Sequence, residues 1–436
     1  MAKSQQAKVP SSRIGRFARV ARLAGGVASG MIAEGGRRLR DGERPRARDM
    51  LMTPANAQRV ADELARMRGA AMKLGQMLSM DGGEFLPRQL ADILARLRAD
   101  ADYMPFDQLN QTMSGAFGED WEEMFYNFDY QPIAAASIGQ VHRTWSPDGR
   151  DIVLKVQYPG VARSIDSDID NIAALLKLSG LVPDNIDMKP LLTDAKSQLR
   201  DEANYLQEAE YLSSFGELLA DDERFIVPEL LPELTTEHVL AMTYVESEPV
   251  DVIADLDQNS RDALVTAMMD LMLMEFFELR LVQTDPNFAN YRYQASTDRM
   301  VLLDFGATRK FKAGFVNEYR RMVKAAQKGD EQRLLNAAEK LGYVVSDGSD
   351  AYREFVLDIF RLALEPLTTD GPYDFGASDL SQRLSDVGAN AQDFREFWHA
   401  PPSDAVFFHR KVGGMFLLAQ RMEARVDIKA LSEQWV

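Results

Sequence analysis

The sequence predicts an α+β fold of two lobes: a small lobe built on a short antiparallel sheet with helices, and a larger, mostly helical lobe. Three observations carry this. Two β-rich runs, VHRTW and DIVLKVQY, flank the strong turn signal Ser146-Pro147-Asp148-Gly149. A second hairpin-like stretch, residues 281–309, places Asp285, Asn290 and Asp304-Phe305-Gly306 around an apolar strand. Most of the remaining chain carries helical periodicity.

Composition narrows the chemistry. The 436 residues contain no cysteine, so there is no disulfide framework, thiolate metal site or cysteine nucleophile. The histidines, His142, His238, His399 and His409, are scattered, which argues against a histidine metal site. A net charge of −17 argues against nucleic acid, whose affinity comes mostly from phosphate neutralisation. The longest apolar candidate, residues 265–282, is interrupted by acids and an arginine, so no membrane span is expected. The N-terminus lacks a signal-peptide core with a small-residue cleavage site.

Taken in order, residues 1–50 form a basic segment. Arg13, Arg16 and Arg19 are spaced by three, with Ile14, Phe17, Val20, Leu23 and Val27 between and beyond them. The pattern suits a basic amphipathic helix on an anionic membrane surface. A transit peptide, a basic arm or a helix packed on its own domain would look similar. Residues 51–130 form a helical extension. Thr53-Pro54 is a helix start, and Val60, Leu64, Met67, Ala71, Leu74 and Leu78 make one apolar stripe ending near Asp81-Gly82-Gly83. Met67, Met72, Met77 and Met80 lie on this helix, as core or as a lipid-contacting surface. Further helices are expected over 88–99 and 106–127.

Residues 131–247 form the small lobe. On its second strand Ile152, Leu154 and Val156 face one way, and Val153, Lys155 and Gln157 the other. Helices are expected over 164–179 and 189–219, then two short strands within 225–246. Residues 248–436 form the large lobe. The chain shows no internal repeat.

The order Asp285-x-x-x-x-Asn290, then an apolar strand, then Asp304-Phe305-Gly306 is that of a protein-kinase catalytic loop and metal-binding loop. Such an aspartate positions the nucleophile, and such an asparagine and second aspartate hold magnesium on ATP. A polar hairpin is the plain alternative. Lys155 on its strand, upstream of both, fits a phosphate ligand. Glu202 and Glu208 both fall on the helix expected over 189–219, about 120° apart around its axis, so they do not share one role. Where kinases place a glycine-rich loop, this chain has Ala134-Ala135-Ala136-Ser137-Ile138-Gly139-Gln140. Alanine restricts the loop dihedrals, and a short helical turn packed on the sheet is the alternative.

These residues carry a resemblance to the UbiB/AarF/ADCK family of atypical kinases of coenzyme Q biosynthesis, from about Val9 to the C-terminus. The motifs are Lys73-Leu74-Gly75-Gln76 (K-x-G-Q), AAASIGQVH at 134–142, VLKVQYPG at 153–160, the run from Glu202 to Ala209, QTDPNFAN at 283–290, LLDFGATR at 302–309 and HRKVGGMFLLAQRM near the C-terminus. The QTDPN form resembles the mitochondrial-type branch and its bacterial relatives. The resemblance implies an atypical protein-kinase-like two-lobed fold, with nucleotide between the lobes and the N-terminal helical extension across the active site. It implies ATP or ADP and Mg²⁺ as cofactors. Lys155 would bind phosphates and pair with Glu208, Asp285 would take the catalytic-base position, and Asn290 and Asp304 would hold Mg²⁺. Ala134, Ala135, Ala136, Ser137 and Gly139 would form the nucleotide loop, with Tyr244 also counted among the nucleotide-binding residues.

From pattern alone Lys73 and Gln76 are polar residues on a solvated helix face. The resemblance makes Lys73, Gly75, Gln76, Glu202 and Asn204 regulatory, with Lys73 meeting the acidic E-x-D motif, and counts Lys73 with Asp285, Lys155 and Glu208 among the catalytic residues. That motif here reads Glu202-Ala203-Asn204, so the second acid is an amide without charge. The implied function is an atypical kinase or ATPase supporting ubiquinone synthesis, and a poor protein kinase. The alternatives are a nucleotide-gated scaffold or lipid-binding pseudokinase, or a phosphotransferase to a small molecule or protein. Ubiquinone-biosynthesis enzymes, isoprenoid quinone intermediates and an anionic membrane surface are the implied partners. With no clear transit segment upstream of Val9, the expected location is the bacterial cytoplasm at the inner membrane, the alternative being the mitochondrial matrix side.

Overall fold

The computed structural model describes residues 103–178, 189–344, 349–389 and 402–436, together with Arg40 and Lys73. The basic segment, the helix over 88–99 and most of the K-x-G-Q helix, including Gly75 and Gln76, lie outside the described residues. The chain divides into two compact units. One takes the chain through Ser214 plus Pro228–Val245; the other takes Phe215–Val227 plus Glu246–Val436.

In the first unit, α1 (Phe106–Phe117) starts after Pro105 in extended conformation and stops at Gly118, whose φ of 95° only glycine adopts readily. A short 3₁₀ turn, Trp121–Met124, follows. The single helix expected over 106–127 is therefore two pieces. β1 (Ala134–Ala135), β2 (Gly139–Trp145) and β3 (Asp151–Gln157) then form an antiparallel meander around the anticipated turn. α2 (Val161–Leu178) follows.

The helix expected over 189–219 is also two, α3 (Lys189–Glu202) and α4 (Tyr205–Leu218). The break is at Ala203-Asn204. Asn204 Oδ1 accepts the Gln207 backbone N–H at 3.2 Å, a helix-start cap. Glu202 and Glu208 thus belong to different helices, and the angle between them around one axis has no meaning. The chain next passes through β4 (Phe225–Ile226), which belongs to the second unit, and returns as β5 (Val239–Thr243) against β3.

The sheet order is β1-β2-β3-β5, which makes β3 a central strand. Ile152, Leu154 and Val156 share a core with Met104, Leu109, Met113, Trp121 and Phe125. The segment around α1 therefore covers one face of the sheet. The other face of β3 is buried as well, so the strand alternates in direction but not in exposure.

The second unit opens with β6 (Glu248–Pro249) and α5 (Gln258–Met274), whose first N–H groups are capped by Asp257. A π-helical turn, Glu275–Leu279, closes α5, and Arg280 with φ 54° releases the chain into β7 (Leu281–Gln283). β8 (Tyr291–Gln294) and β9 (Arg299–Leu302) form a hairpin in the sheet β4-β9-β8-β6. β10 (Thr308–Lys310) pairs back with β7.

The remainder is mostly helix: α6 (Ala313–Gln327), α7 (Glu331–Lys340), α8 (Asp350–Ala363) and α9 (Glu365–Thr368). β11 (Tyr373–Asp374), α10 (Leu380–Ala389), α11 (Ser403–Arg421), β12 (Arg425–Val426) and α12 (Ile428–Glu433) complete it. A small antiparallel sheet preceding a mostly helical part is the α+β arrangement anticipated.

Candidate active site

In the first unit Lys155 sits mid-strand on β3, opposite Val141 on one side and Leu240 on the other. Its Nζ donates to both oxygens of Glu208, at 2.8 and 3.0 Å. Both side chains are buried, Glu208 almost fully. Glu208 lies in the first turn of α4, where helix N–H groups favour negative charge. The Lys155 ammonium also lies 5.3 Å from the ring centre of Tyr205, the residue that follows the Asn204 cap. A buried ammonium held by a bidentate carboxylate is a rigid cation, fit to meet phosphate oxygens.

A second buried pair involves Glu202, at the end of α3. Lys73, fully buried, reaches Glu202 at 2.5 Å. The E-x-D region therefore serves two ends: Glu202 closes α3 on Lys73, and Asn204 opens α4. An amide caps a helix as well as a carboxylate does, so the cap survives the loss of charge at Asn204.

The alanine-rich loop is a strand and turn. Ala134 and Ala135 pair with Val141 and Gln140, and Ala136 N donates to Gly139 O at 2.9 Å. Ser137 is half-buried at the turn. Gly139 is required by close packing: an added Cβ would lie 2.4 Å from Val156 O and 2.9 Å from the Tyr205 hydroxyl. Tyr244, just after β5, donates its backbone N–H to Asp151 O at 2.9 Å. Its ring carries the Arg143 guanidinium at 3.7 Å.

Two further motif residues prove structural. Gln140 Oε1 accepts the Met104 N–H at 2.9 Å, and its amide nitrogen lies 2.7 Å from His142 Nε2. His142 Nδ1 lies 2.7 Å from the Asp129 carbonyl oxygen. A carbonyl only accepts, so Nδ1 carries the proton and Nε2 accepts from Gln140. Burial lowers the His142 pKa from 6.5, more than the Asp129 carbonyl raises it, so the folded state holds it neutral.

Acidification through about 6.5 protonates this histidine in the unfolded chain first, so stability falls as pH falls. Urea unfolding of the first unit should show a lower midpoint at pH 5.5 than at pH 7.5. The pH difference should shrink in His142→Gln.

In the second unit, β7 delivers Thr284, which bonds Ala307 O through both its N–H (3.1 Å) and its hydroxyl (2.7 Å). Asp285 follows, nearly buried. The 3₁₀ turn Phe288–Asn290, capped by Asn287, turns the chain back. Asn290 Nδ2 points to Asp285 Oδ2 at 3.3 Å, which leaves its amide oxygen for another partner. The register Tyr291↔Leu302, with Leu303 N bonded to Asn290 O at 3.1 Å, sets Asn290 and Asp304 at adjoining strand ends. Asp304 Oδ1 accepts the Gly306 N–H at 3.0 Å, and Phe305 packs on Phe215, ring centres 4.7 Å apart. One carboxylate and one amide oxygen fit Mg²⁺, which takes few protein ligands and completes its shell with water and phosphate.

A lysine–glutamate pair on a central strand and an Asp–Asn–Asp set on a hairpin define the protein-kinase-like class. Residues 96–338 match the family described as the ABC1 atypical kinase-like domain. The chain belongs to this family.

It is 37% identical over 436 residues to the mitochondrial atypical kinase COQ8B of Rattus norvegicus, covering 98% of this chain and 81% of that one. It is 34% identical to the mitochondrial atypical kinase COQ8 of Saccharomyces cerevisiae, covering 99% and 86%. It is 36% identical to the mitochondrial atypical kinase coq-8 of Caenorhabditis elegans, of whose length it spans 58%. The fold is similar to that of Rv3197 from Mycobacterium tuberculosis, solved with erythromycin, with a TM-score of 0.60 at 23% identity, covering 88% of this chain and 96% of that one.

Proposed function

We propose that the protein is a Mg-ATP-dependent atypical kinase or ATPase that supports ubiquinone biosynthesis at a membrane surface. The observation that carries this reading is the buried, bidentate Lys155–Glu208 pair. It presents a fixed cation on the strand where kinase-like proteins hold the α- and β-phosphates. Asn290 and Asp304 would hold the cation. Mg²⁺ supplies neutralisation of the phosphate charge when bound. Asp285 would orient the attacking water or hydroxyl and accept its proton. The short β1 strand would hold the Ala134–Ser137 loop to a single pose, where a glycine-rich loop would adapt.

The relatives' names carry the pathway reading, and the basic residues of 1–50 carry the membrane reading. We assign residues 1–50 to membrane contact, 51–130 to the extension, 131–247 to the small lobe and 248–436 to the large lobe. Among the described residues no helix is long and apolar enough to cross a membrane.

The test is phosphate release from Mg-ATP by purified protein, with and without anionic liposomes, for wild type and Asp304→Asn. Turnover that requires Asp304 and rises with liposomes supports the reading. Nucleotide binding without turnover in either condition would replace it with the scaffold reading. Phosphate appearing on an added acceptor would make the protein a phosphotransferase.

A further inference from the structure

Helix α11 carries a charge that the proposed chemistry does not use. Lys411 is almost fully buried, and so is Glu275, 3.3 Å away. The Lys411 ammonium also donates to the Tyr291 hydroxyl at 3.0 Å. Glu275 begins the π-helical turn at the end of α5, from which β7 leads into Asp285. Tyr291 follows Asn290 directly and starts β8. One ammonium therefore ties the entry of the 284–291 loop to its exit.

A second contact lies on the same helix face, three residues on. Gly414 meets Pro286, the residue after Asp285, so closely that an added Cβ would come within 2.1 Å of the proline Cβ. On the same helix Arg421 lies 5.8 Å from the Phe288 ring centre, and Phe407 carries the Arg309 guanidinium at 3.6 Å. Three residues of one helix thus lie against the 284–291 segment, and a fourth against Arg309 on β10, the strand after Asp304-Phe305-Gly306.

Packing alone does not explain the choice of residues. A buried ion pair is weak evidence for stability, since well-packed apolar residues often do as well. What a directional, three-partner cluster supplies is geometry. Burial pushes the Glu275 carboxyl up, and the Lys411 ammonium pulls it back in part. Burial opposes the Lys411 ammonium, but the Glu275 carboxylate and the Tyr291 oxygen outweigh it and hold its pKa above the usual lysine value. An ammonium can only donate, so the Tyr291 hydroxyl oxygen accepts from Lys411.

We infer that the Lys411–Glu275–Tyr291 cluster is a positioning device that locks the 284–291 loop, with Gly414 against Pro286 as its contact surface. The loop's catalytic role rests on the function proposed above; its immobilisation does not. Lys411 acts through Tyr291 on Asn290, and touches no substrate.

The test uses the full chain and two variants. Tyr291→Phe removes only the hydroxyl. Lys411→Met combined with Glu275→Gln removes the cluster without leaving a buried charge. Amide hydrogen exchange over 284–291 is measured together with the Mg²⁺ dependence of ATP turnover, with Asp304→Asn as control. Both variants should exchange faster than wild type across this loop, while the rest of β8 and β9 keep wild-type rates. Their turnover should fall by roughly 10- to 100-fold, the scale of an ångström misplacement, with a raised Mg²⁺ requirement and unchanged Mg-free nucleotide binding.

Wild-type exchange across the loop in both variants overturns the inference. If wild type shows no turnover dependent on Asp304, the functional reading falls, and loop exchange alone still decides this one.

Discussion

Asp285→Asn should lower Mg-ATP turnover by about 10²–10⁴-fold, the range for removing a positioned general base. Folding should barely change. The substitution is isosteric, and the site is polar: the Asn290 amide already points at Asp285 Oδ2 at 3.3 Å. In the variant, the Asn290 amide can still donate to the remaining side-chain oxygen, so that contact survives. Nucleotide binding should persist, because in the proposed reaction the carboxylate would act on the nucleophile while Lys155 would hold the phosphates.

The decisive comparison is therefore turnover against binding in one preparation, by phosphate release and calorimetric titration with ADP. Equal losses in both would mean that Asp285 shapes the nucleotide site. Unchanged turnover would remove it from the chemistry altogether and favour the scaffold.

The site was legible where its residues are close in sequence. Asp285, Asn290 and Asp304 follow a linear spacing because one hairpin carries them, and β8–β9 register then brings Asn290 and Asp304 to adjoining ends. Lys155 was legible because it stands on a β-rich run upstream of Asp285 and Asp304, the order of a kinase-like site. Separate roles for Glu202 and Glu208 were expected from an angle around one helix axis that does not exist, and their partners were legible only through the resemblance. The physical reason is the break between α3 and α4, which contains neither glycine nor proline. A signal for it exists: Asn204 followed three residues later by Gln207 is a helix-start pattern, and Asn204 Oδ1 does accept the Gln207 N–H.

Gln140 and His142 close the motif at 134–142 without an expected role, and they join β2 to Met104 and Asp129. Nothing local marks a residue as paired to a backbone atom so far away. Lys411 was hidden for the same reason. A lysine on a helix is ordinarily a surface residue, and its partners Glu275 and Tyr291 are well over a hundred positions upstream.

Lys73→Met should destabilise the first unit by about 3–5 kcal/mol, the cost of leaving one member of a buried ion pair alone. Lys73 is fully buried and Glu202 nearly so, at 2.5 Å separation. Without the ammonium, the carboxylate must be protonated, hydrated by local opening, or left uncompensated. Each route weakens the hold of residue 73 on the end of α3.

The double variant Lys73→Met with Glu202→Gln removes the stranded charge, and should recover most of the loss. A surface pair would behave otherwise, with single losses within about 1 kcal/mol that disappear in high salt. The pair should instead resist salt, because water and counter-ions do not reach it. Thermal melts of the wild type, both single variants and the double variant, at low and high salt, give the coupling directly. Strong coupling that survives salt would make Lys73–Glu202 a desolvated latch between the K-x-G-Q helix and α3, whose release requires rehydrating both charges. Weak or salt-sensitive coupling would mean that this contact opens freely, and that the E-x-D region matters chiefly through the Asn204 cap on the helix that presents Glu208.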